Sequence, residues 1–442
     1  VVGTTMAVVL GIGGGVALAF YIEGHGPTHP ESATGAPAPS DVLWAWSGGV
    51  ATSSAVVSAK VPSKQSVRLV YGQSPTLNDP DYAASSLRGP VHRFDLEGLT
   101  GATTYHYAVE VGGRIDEGRI GSFTTFTAGP QDVTIAFASC ARTGSNGAVF
   151  DTIRHLQPDL FISTGDLHYG DVLANSLDAF ADLYDLTLTE PAQAQLYASV
   201  PIAYTWDDHD FGANDSASDS PSREAALVSY RTHVPHYEFA LAGVDAPIAQ
   251  AFTIGRIRFI LTDTRSARDP SADPDGPGKT MLGDEQLSWF LTELERSLAE
   301  YALVVWVSSV PWIAEADSGA DHWGGYANER EKIAAAIAAT GHNDRLILLA
   351  GDAHMVAIDD GTNNDYAPGG GASFPVMQAA ALDRNGSVKG GPYSEGAYPG
   401  GGQFGLMEVN DDGAELRVVL RGLTWESNEL VALDLRIPEV AP

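Results

Sequence analysis

Cysteine is the scarcest chemistry in this sequence: Cys140 is the sole thiol among 442 residues. No internal disulfide can form, and four-cysteine zinc sites and paired redox thiols are excluded with it. Positive charge is also short. Lys and Arg number 25 against 56 Asp and Glu, a net charge of -31. Casual binding to DNA, RNA or an anionic membrane surface depends on surplus positive charge, so those partners are excluded as general ones. Such acidity suits a solvated protein outside the cytoplasm. What is plentiful is apolar: 44% hydrophobic and 9% aromatic residues exclude a mainly disordered chain. The length allows two or three domains.

Charge is missing altogether from Val1 to Ile22. At 1.5 Å per residue this run makes a helix of about 33 Å, enough for the ~30 Å apolar core of a bilayer. Gly3, Ala7, Gly11, Gly15 and Ala19 recur every fourth position and form a smooth stripe. Such stripes let membrane helices pack closely, so a helix partner or a second copy is expected there. The competing reading is a secretory signal core. No small-x-small cleavage site follows Ile22, which favours an uncleaved single-pass anchor over 1–23, with the rest extracytoplasmic.

Residues 24–40 are rich in Pro, Gly, Ser and Ala and read as an extended linker. Over 41–128, short alternating runs separated by turn residues predict an all-β sandwich: Ala55–Ala59, Ser66–Tyr71, Val91–Leu96, Thr104–Val111 and Gly118–Phe126. The stretch from Leu96 to Tyr107, with Gly121–Thr125 as closing strand, resembles a fibronectin type III domain. From 131 to 440 the pattern becomes α/β. Val133–Ala138, Asp159–Ser163, Ile202–Thr205, Arg256–Asp263, Ala302–Ser308 and Leu346–Leu349 are strand-like, and Asp284–Ala299 and Asn328–Ala339 are helical. No internal repeat is evident.

Four of these strands run into polar residues of metal-ligand type. They lead to Ser139-Cys140, to Gly165-Asp166-Leu167-His168-Tyr169, to Trp206-Asp207-Asp208-His209-Asp210, and to Gly351-Asp352-Ala353-His354. Each alone reads as a turn. Sites in α/β sheets form beyond the carboxyl ends of strands, so four such ends can converge on one metal centre. A thiolate beside a phenolate favours Fe(III). A carboxylate-rich neighbour site favours a hard ion such as Ca(II), Mn(II) or Mg(II). Asp166 is the natural bridge between two ions.

The ordered set Ser-Cys, Gly-Asp-x-x-Tyr, Trp-Asp-Asp-His-Asp and Gly-Asp-x-His resembles the alkaline phosphatase D (PhoD-like) branch of the metallophosphatases, over about residues 41–440. Thr262-Asp263-Thr264-Arg265 and the stretch Leu282–Trp289 support it. The resemblance implies an N-terminal β-sandwich followed by a metallophosphatase β-sandwich flanked by helices. It also implies Cys140, Asp166 and Tyr169 as iron ligands and Asp208 at a second metal. Asp352 and His354 take the place of a histidine pair, and Asn214 lies where it would touch metal or phosphate. His209 would serve the leaving group, with Asp210 orienting it. Calcium is the implied second ion, with Mn, Mg or Zn as alternatives. One departure stands out. A metal-binding histidine expected before Pro311 is absent, since the place reads Ser308-Ser309-Val310, which favours an oxygen-rich second site.

The implied activity is hydrolysis of phosphate esters, monoesters or diesters, by metal-activated hydroxide. Arg142, two residues after Cys140, offers a planar fork for a phosphate oxygen, or else makes a structural ion pair. His168 is either a substrate contact or a polar loop residue. His233 and His236 flank Pro235 and read as structural. His322 and Trp323 are candidates for a substrate wall. The alternative to an enzyme is a non-catalytic ectodomain of a membrane assembly. Retention of seven ligand-type residues argues for catalysis.

Overall fold

The computed structural model describes residues 41–87 and 89–437. The expected anchor and linker lie outside the described residues. Among the described residues no helix is long and apolar enough to cross a membrane.

Two large sheets face each other. The first has nine strands in the order Glu429–Ile437, Leu416–Thr424, Gln403–Asp411, Val133–Ala138, Leu160–Ser163, Ile202–Tyr204, Trp44–Gly48, Ser54–Lys60 and Val91–Glu97. The second has seven: Gln250–Ile254, Ile257–Leu261, Leu303–Ser308, Leu346–Ala350, Val376–Ala379, Met355–Asp359 and Ala397–Pro399. Their middles are parallel, Val133–Ala138 with Leu160–Ser163 and Ile202–Tyr204, and Ile257–Leu261 with Leu303–Ser308 and Leu346–Ala350. Parallel strands are covered on both faces, so they read as continuous apolar runs. Phe137, Phe259, Val305, Ile347 and Met407 fill the space between the sheets.

Helices cover the outer faces. Ala148–His155, Leu177–Thr189, Pro191–Ser199 and Arg223–His233 lie on the first sheet, and Asp284–Glu300 and Ala327–Thr340 on the second. Asp284–Glu300 buries Phe290, Leu294 and Leu298, one apolar row at a spacing of four. Ala327–Thr340 stops at Gly341, whose φ of 67° caps the helix in the left-handed region. These two helices and most strands match expectation within a few residues. The four helices between residues 177 and 233, the one-turn Asp208–Phe211 among them, and the strand Met355–Asp359 are not visible in the sequence pattern.

A third sheet, built on Val67–Gly72 and Thr104–Val111, packs on the strands Ser54–Lys60 and Val91–Glu97 through Leu69, Phe94, Tyr107 and Phe123. The Tyr105 hydroxyl accepts a hydrogen bond from Thr100 N at 2.9 Å and ties the turn before its strand. This β-rich start is sewn to the rest of the fold. Gly48 pairs with Ile202 across the first sheet, Trp46 Nε1 donates to His233 O at 3.0 Å, and the Tyr237 hydroxyl donates to Val50 O at 2.9 Å.

Candidate metal centre

Cys140, Asp166 and Asp208 follow neighbouring parallel strands of the first sheet, and Asp352 follows Leu346–Ala350 of the second. Parallel strands end on the same side, so their carboxyl ends meet at one edge of the sandwich. The backbone then turns abruptly. Cys140, Asp166 and Asp352 take φ values of 65°, 52° and 66°. Such left-handed conformations cost non-glycine residues about 1–3 kcal/mol and persist where surrounding structure imposes them. Here Cys140 N donates to Gly165 O at 3.3 Å and Ala141 N to Asp166 O at 2.9 Å. Gly165 itself (φ 109°) leaves no room for a side chain, since a Cβ there would lie 2.5 Å from Asp207 Cβ.

The donors gather in two overlapping groups. Cys140 Sγ lies 3.6 Å from Asp166 Oδ2 and 3.6 Å from the Asp352 carbonyl. The Tyr169 hydroxyl lies 3.2 Å from His354 Nε2. Asp166, Asp208 and His209 each offer a ligand atom within 4.8 Å of the others. Asp166 belongs to both groups. His354 Nδ1 is 2.8 Å from Asn385 O and donates to it, since a carbonyl only accepts. That tautomer leaves the lone pair of Nε2 facing the site.

The electrostatics fit cations. Asp166 Oδ1, Asp207 Oδ2 and Asp352 Oδ2 are buried without a hydrogen-bond partner. Each such atom costs about 1–3 kcal/mol, a deficit a cation would offset. Burial, then the neighbouring negative charges, pushes the Cys140 thiol and the Asp166 carboxyl well above their ordinary values. The Tyr169 phenol is raised by burial and by Cys140. Burial pushes Asp352 up to about 6 against the opposing pull of Lys389, and burial pulls His354 down to about 4. A metal in this pocket would be held by Cys140, Asp166, Tyr169 and the Asp352–His354 turn, and a second by Asp166 and Asp208.

Several expectations are corrected. Asp210 does not orient His209. Its carboxylate accepts from Asp207 N at 3.1 Å and His168 N at 3.2 Å, capping the turn. Asp171 takes that role, with Oδ1 2.6 Å from His209 Nδ1. His168 is buried edge-on against Tyr184. The Arg142 side chain is exposed, and the residue is pinned through its backbone N–H to Asp383 Oδ1 at 2.6 Å. Asn214 is exposed. Its neighbour Asp215 is the one that donates a backbone N–H to Asp208 Oδ2 at 2.6 Å. Trp323 is fully buried against Trp306 and Trp312, so it is core rather than substrate wall. Ser309 turns its hydroxyl to Asp207 Oδ1 at 2.8 Å instead of facing a metal.

Five polar residues near the site, Asp171 among them, were given no role from the sequence. Arg265, fully buried, donates to Asp207 Oδ1 at 2.6 Å and takes both oxygens of Asp321 at 2.9 and 2.8 Å. Burial opposes that charge, yet Arg265 and Arg268 hold the Asp321 carboxyl low. Asp321 is thus satisfied by cations of the chain itself, although it lies with Asp208 and Asp215 in a cluster of carboxylates. Lys389 Nζ is 2.6 Å from Asp352 Oδ1. Arg384 lies over the Tyr169 ring, 4.0 Å from its centre. The sequence signal for Arg265 was its place just past a strand end. Asp171 had its position five residues after Asp166. Arg384 and Lys389 sit in a glycine-rich loop with no readable spacing.

Two sheets whose strand ends meet in a pocket of carboxylate, thiol, phenol and imidazole define a fold and donor set of the metallophosphatase class. The family model of PhoD-like phosphatases matches residues 135–380, and the chain belongs to that family. Alkaline phosphatase D of Bacillus subtilis (strain 168) is 27% identical over 323 residues, covering 62% of this chain and 54% of the relative. This chain therefore spans about half the length of that relative. A solved structure titled "Structure of PhoD" superposes with a TM-score of 0.72 at 19% identity, covering 91% of this chain and 92% of the other.

Proposed function

We propose that this chain hydrolyses phosphate esters at the Cys140–Asp166–Asp208–His354 centre, with Fe(III) and an oxygen-liganded cation such as Ca(II) as cofactors. The observation that carries the reading is the place of Asp166: 3.6 Å from Cys140 Sγ, and grouped with Asp208 and His209. When bound, two cations would supply Lewis acidity and offset the charge of the phosphoryl oxygens. The side chains do the rest. Asp171 Oδ1 accepts a hydrogen bond from His209 Nδ1 at 2.6 Å and fixes the orientation of the ring. His209 Nε2 is then free to give its proton to the departing alkoxide. Asp208 is fixed by the backbone N–H groups of His209 (2.9 Å) and Asp215 (2.6 Å), which keeps its oxygens in place. Tyr169 packs its ring 4.1 Å from that of His209 and braces it.

Turnover of p-nitrophenyl phosphate and of its bis-ester, with iron and calcium supplied over pH 5–10, tests this. The expected result is turnover that Asp166→Asn reduces by at least ~10³-fold, as removal of a metal bridge requires. No turnover at any pH would defeat the reading.

The same proposal holds the chain at a membrane with the site extracytoplasmic. It rests on the uncharged run Val1–Ile22 and on the net charge of -31. Fractionation should place the full chain in the membrane pellet. Cross-linking should trap a partner or second copy along Gly3, Ala7, Gly11, Gly15 and Ala19. A chain recovered wholly in the soluble fraction contradicts it.

A further inference from the structure

We propose that Arg384 grips the phosphate of the substrate, in the role the sequence pointed to Arg142, and that Lys389 on the same loop steadies Asp352. The inference deepens the phosphate-ester reading and rests on it.

The loop from Leu382 to Lys389 is stitched to two ligand-bearing turns. Leu382 N donates to Ser139 O at 3.0 Å, and Asp383 Oδ1 accepts from Arg142 N at 2.6 Å. On the far side, Ser387 N donates to His354 O at 2.9 Å, and Asn385 O receives the His354 Nδ1 proton. Arg384 sits between these anchors, so its backbone is placed by the same turns that place Cys140 and His354. The central carbon of its guanidinium lies over the Tyr169 ring, 4.0 Å from the ring centre. A cation–π contact of this kind holds the group in place without using its N–H donors.

Three neighbouring cations are already engaged, whereas Arg142, tied to Asp383 through its backbone N–H, has an exposed side chain. Arg265 is spent on Asp207 and Asp321, Arg268 on Asp321 and the Tyr326 hydroxyl, and Lys389 on Asp352. Among the described residues, the Arg384 guanidinium has no hydrogen-bond or ion-pair partner, in a chain with more than two acidic residues for each basic one. An unpaired fork held beside a phenol and an imidazole of the site suits an incoming dianionic oxygen group. It would bind the non-bridging phosphate oxygens through charge-assisted hydrogen bonds. A phosphomonoester, with more charge on those oxygens than a diester, gains more from the contact.

Titration calorimetry of inorganic phosphate into metal-loaded protein reads the contact without turnover, and steady-state kinetics on the monoester and diester read it with turnover. Arg384→Ala should weaken phosphate binding and raise KM for the monoester by about 10–100-fold, with a smaller change for the diester, metal content and melting temperature being kept. Arg384→Lys, which keeps charge but loses the fork, should fall between. Unchanged phosphate affinity in Arg384→Ala, an equal loss in Arg142→Ala, or loss of metal along with affinity would each overturn the proposal. A wild-type chain without turnover would contradict the phosphatase reading, while the calorimetric arm still decides Arg384.

Discussion

At His209 two aspartates compete for the orienting role, and distance decides between them. Asp171 Oδ1 is 2.6 Å from Nδ1, while Asp210 faces the backbone of Asp207 and His168. Asp171→Asn should lower kcat about 10–100-fold with little effect on stability, the cost of losing a partner that orients a functional side chain. Asp210→Asn should act chiefly on the melting temperature. Equal effects of the two on kcat at unchanged melting temperature would refute the assignment. Protonation gives a second residue-scale prediction. Burial, then neighbouring negative charge, raises Cys140, Asp166 and Tyr169, and each must lose its proton to ligate a cation. Metal affinity should therefore rise with pH, by up to about tenfold per unit for each proton displaced, with measurable proton release in weak buffer. His354, pulled down to about 4, is already neutral above pH 5 and adds no proton. Affinity that is flat from pH 5 to 9 would contradict this. Tyr169→Phe should remove the visible absorption expected of an iron–phenolate pair. An unchanged band would exclude Tyr169 as a ligand.

Among the elements, what joins the site is the turn after each strand. Gly165→Ala would force a Cβ against Asp207 in a conformation reserved for glycine. It should destabilise the fold by about 1–3 kcal/mol and weaken metal binding, read by thermal melts and metal content together. The strands behind these turns were legible because parallel strands buried on both faces are unbroken apolar runs, as in Val133–Ala138 and Leu346–Ala350. The residues Cys140, Asp166, Tyr169, Asp208, Asp352 and His354 were legible for the same reason: each follows such a run. The helices Leu177–Thr189 and Arg223–His233 were not, because buried Tyr184, Thr187, Ser229 and His233 blur their apolar face. Arg384 and Lys389 were hidden because a glycine-rich loop carries no period. Asp210 misled because nearness in sequence is not nearness in space: a one-turn helix from Asp208 to Phe211 points consecutive side chains in different directions.

Across the whole molecule, hydrogen bonding runs from the β-rich start into the two-sheet sandwich through the Gly48–Ile202 pairing and the contacts of Trp46. Trp46, 1% exposed and packed on Tyr184 and Tyr197, ties residues 41–60 to the helices beside the site. Trp46→Ala should cost about 3–5 kcal/mol and lower the melting temperature of the whole described fold in one transition. Two separate transitions would show that the β-rich start folds on its own. The excess of acid divides at this scale. A few carboxylates face one another at the strand ends, where unpartnered oxygens call for cations; others, such as Asp263, Glu329 and Asp359, are buried in hydrogen bonds to the chain, and many of the remainder are exposed. Elemental analysis of protein purified without chelator tests the central claim most directly. The account predicts bound iron together with a second, calcium-like cation, both lost in Asp166→Asn at unchanged fold. A folded wild-type chain that stays free of metal when iron and calcium are supplied would contradict it.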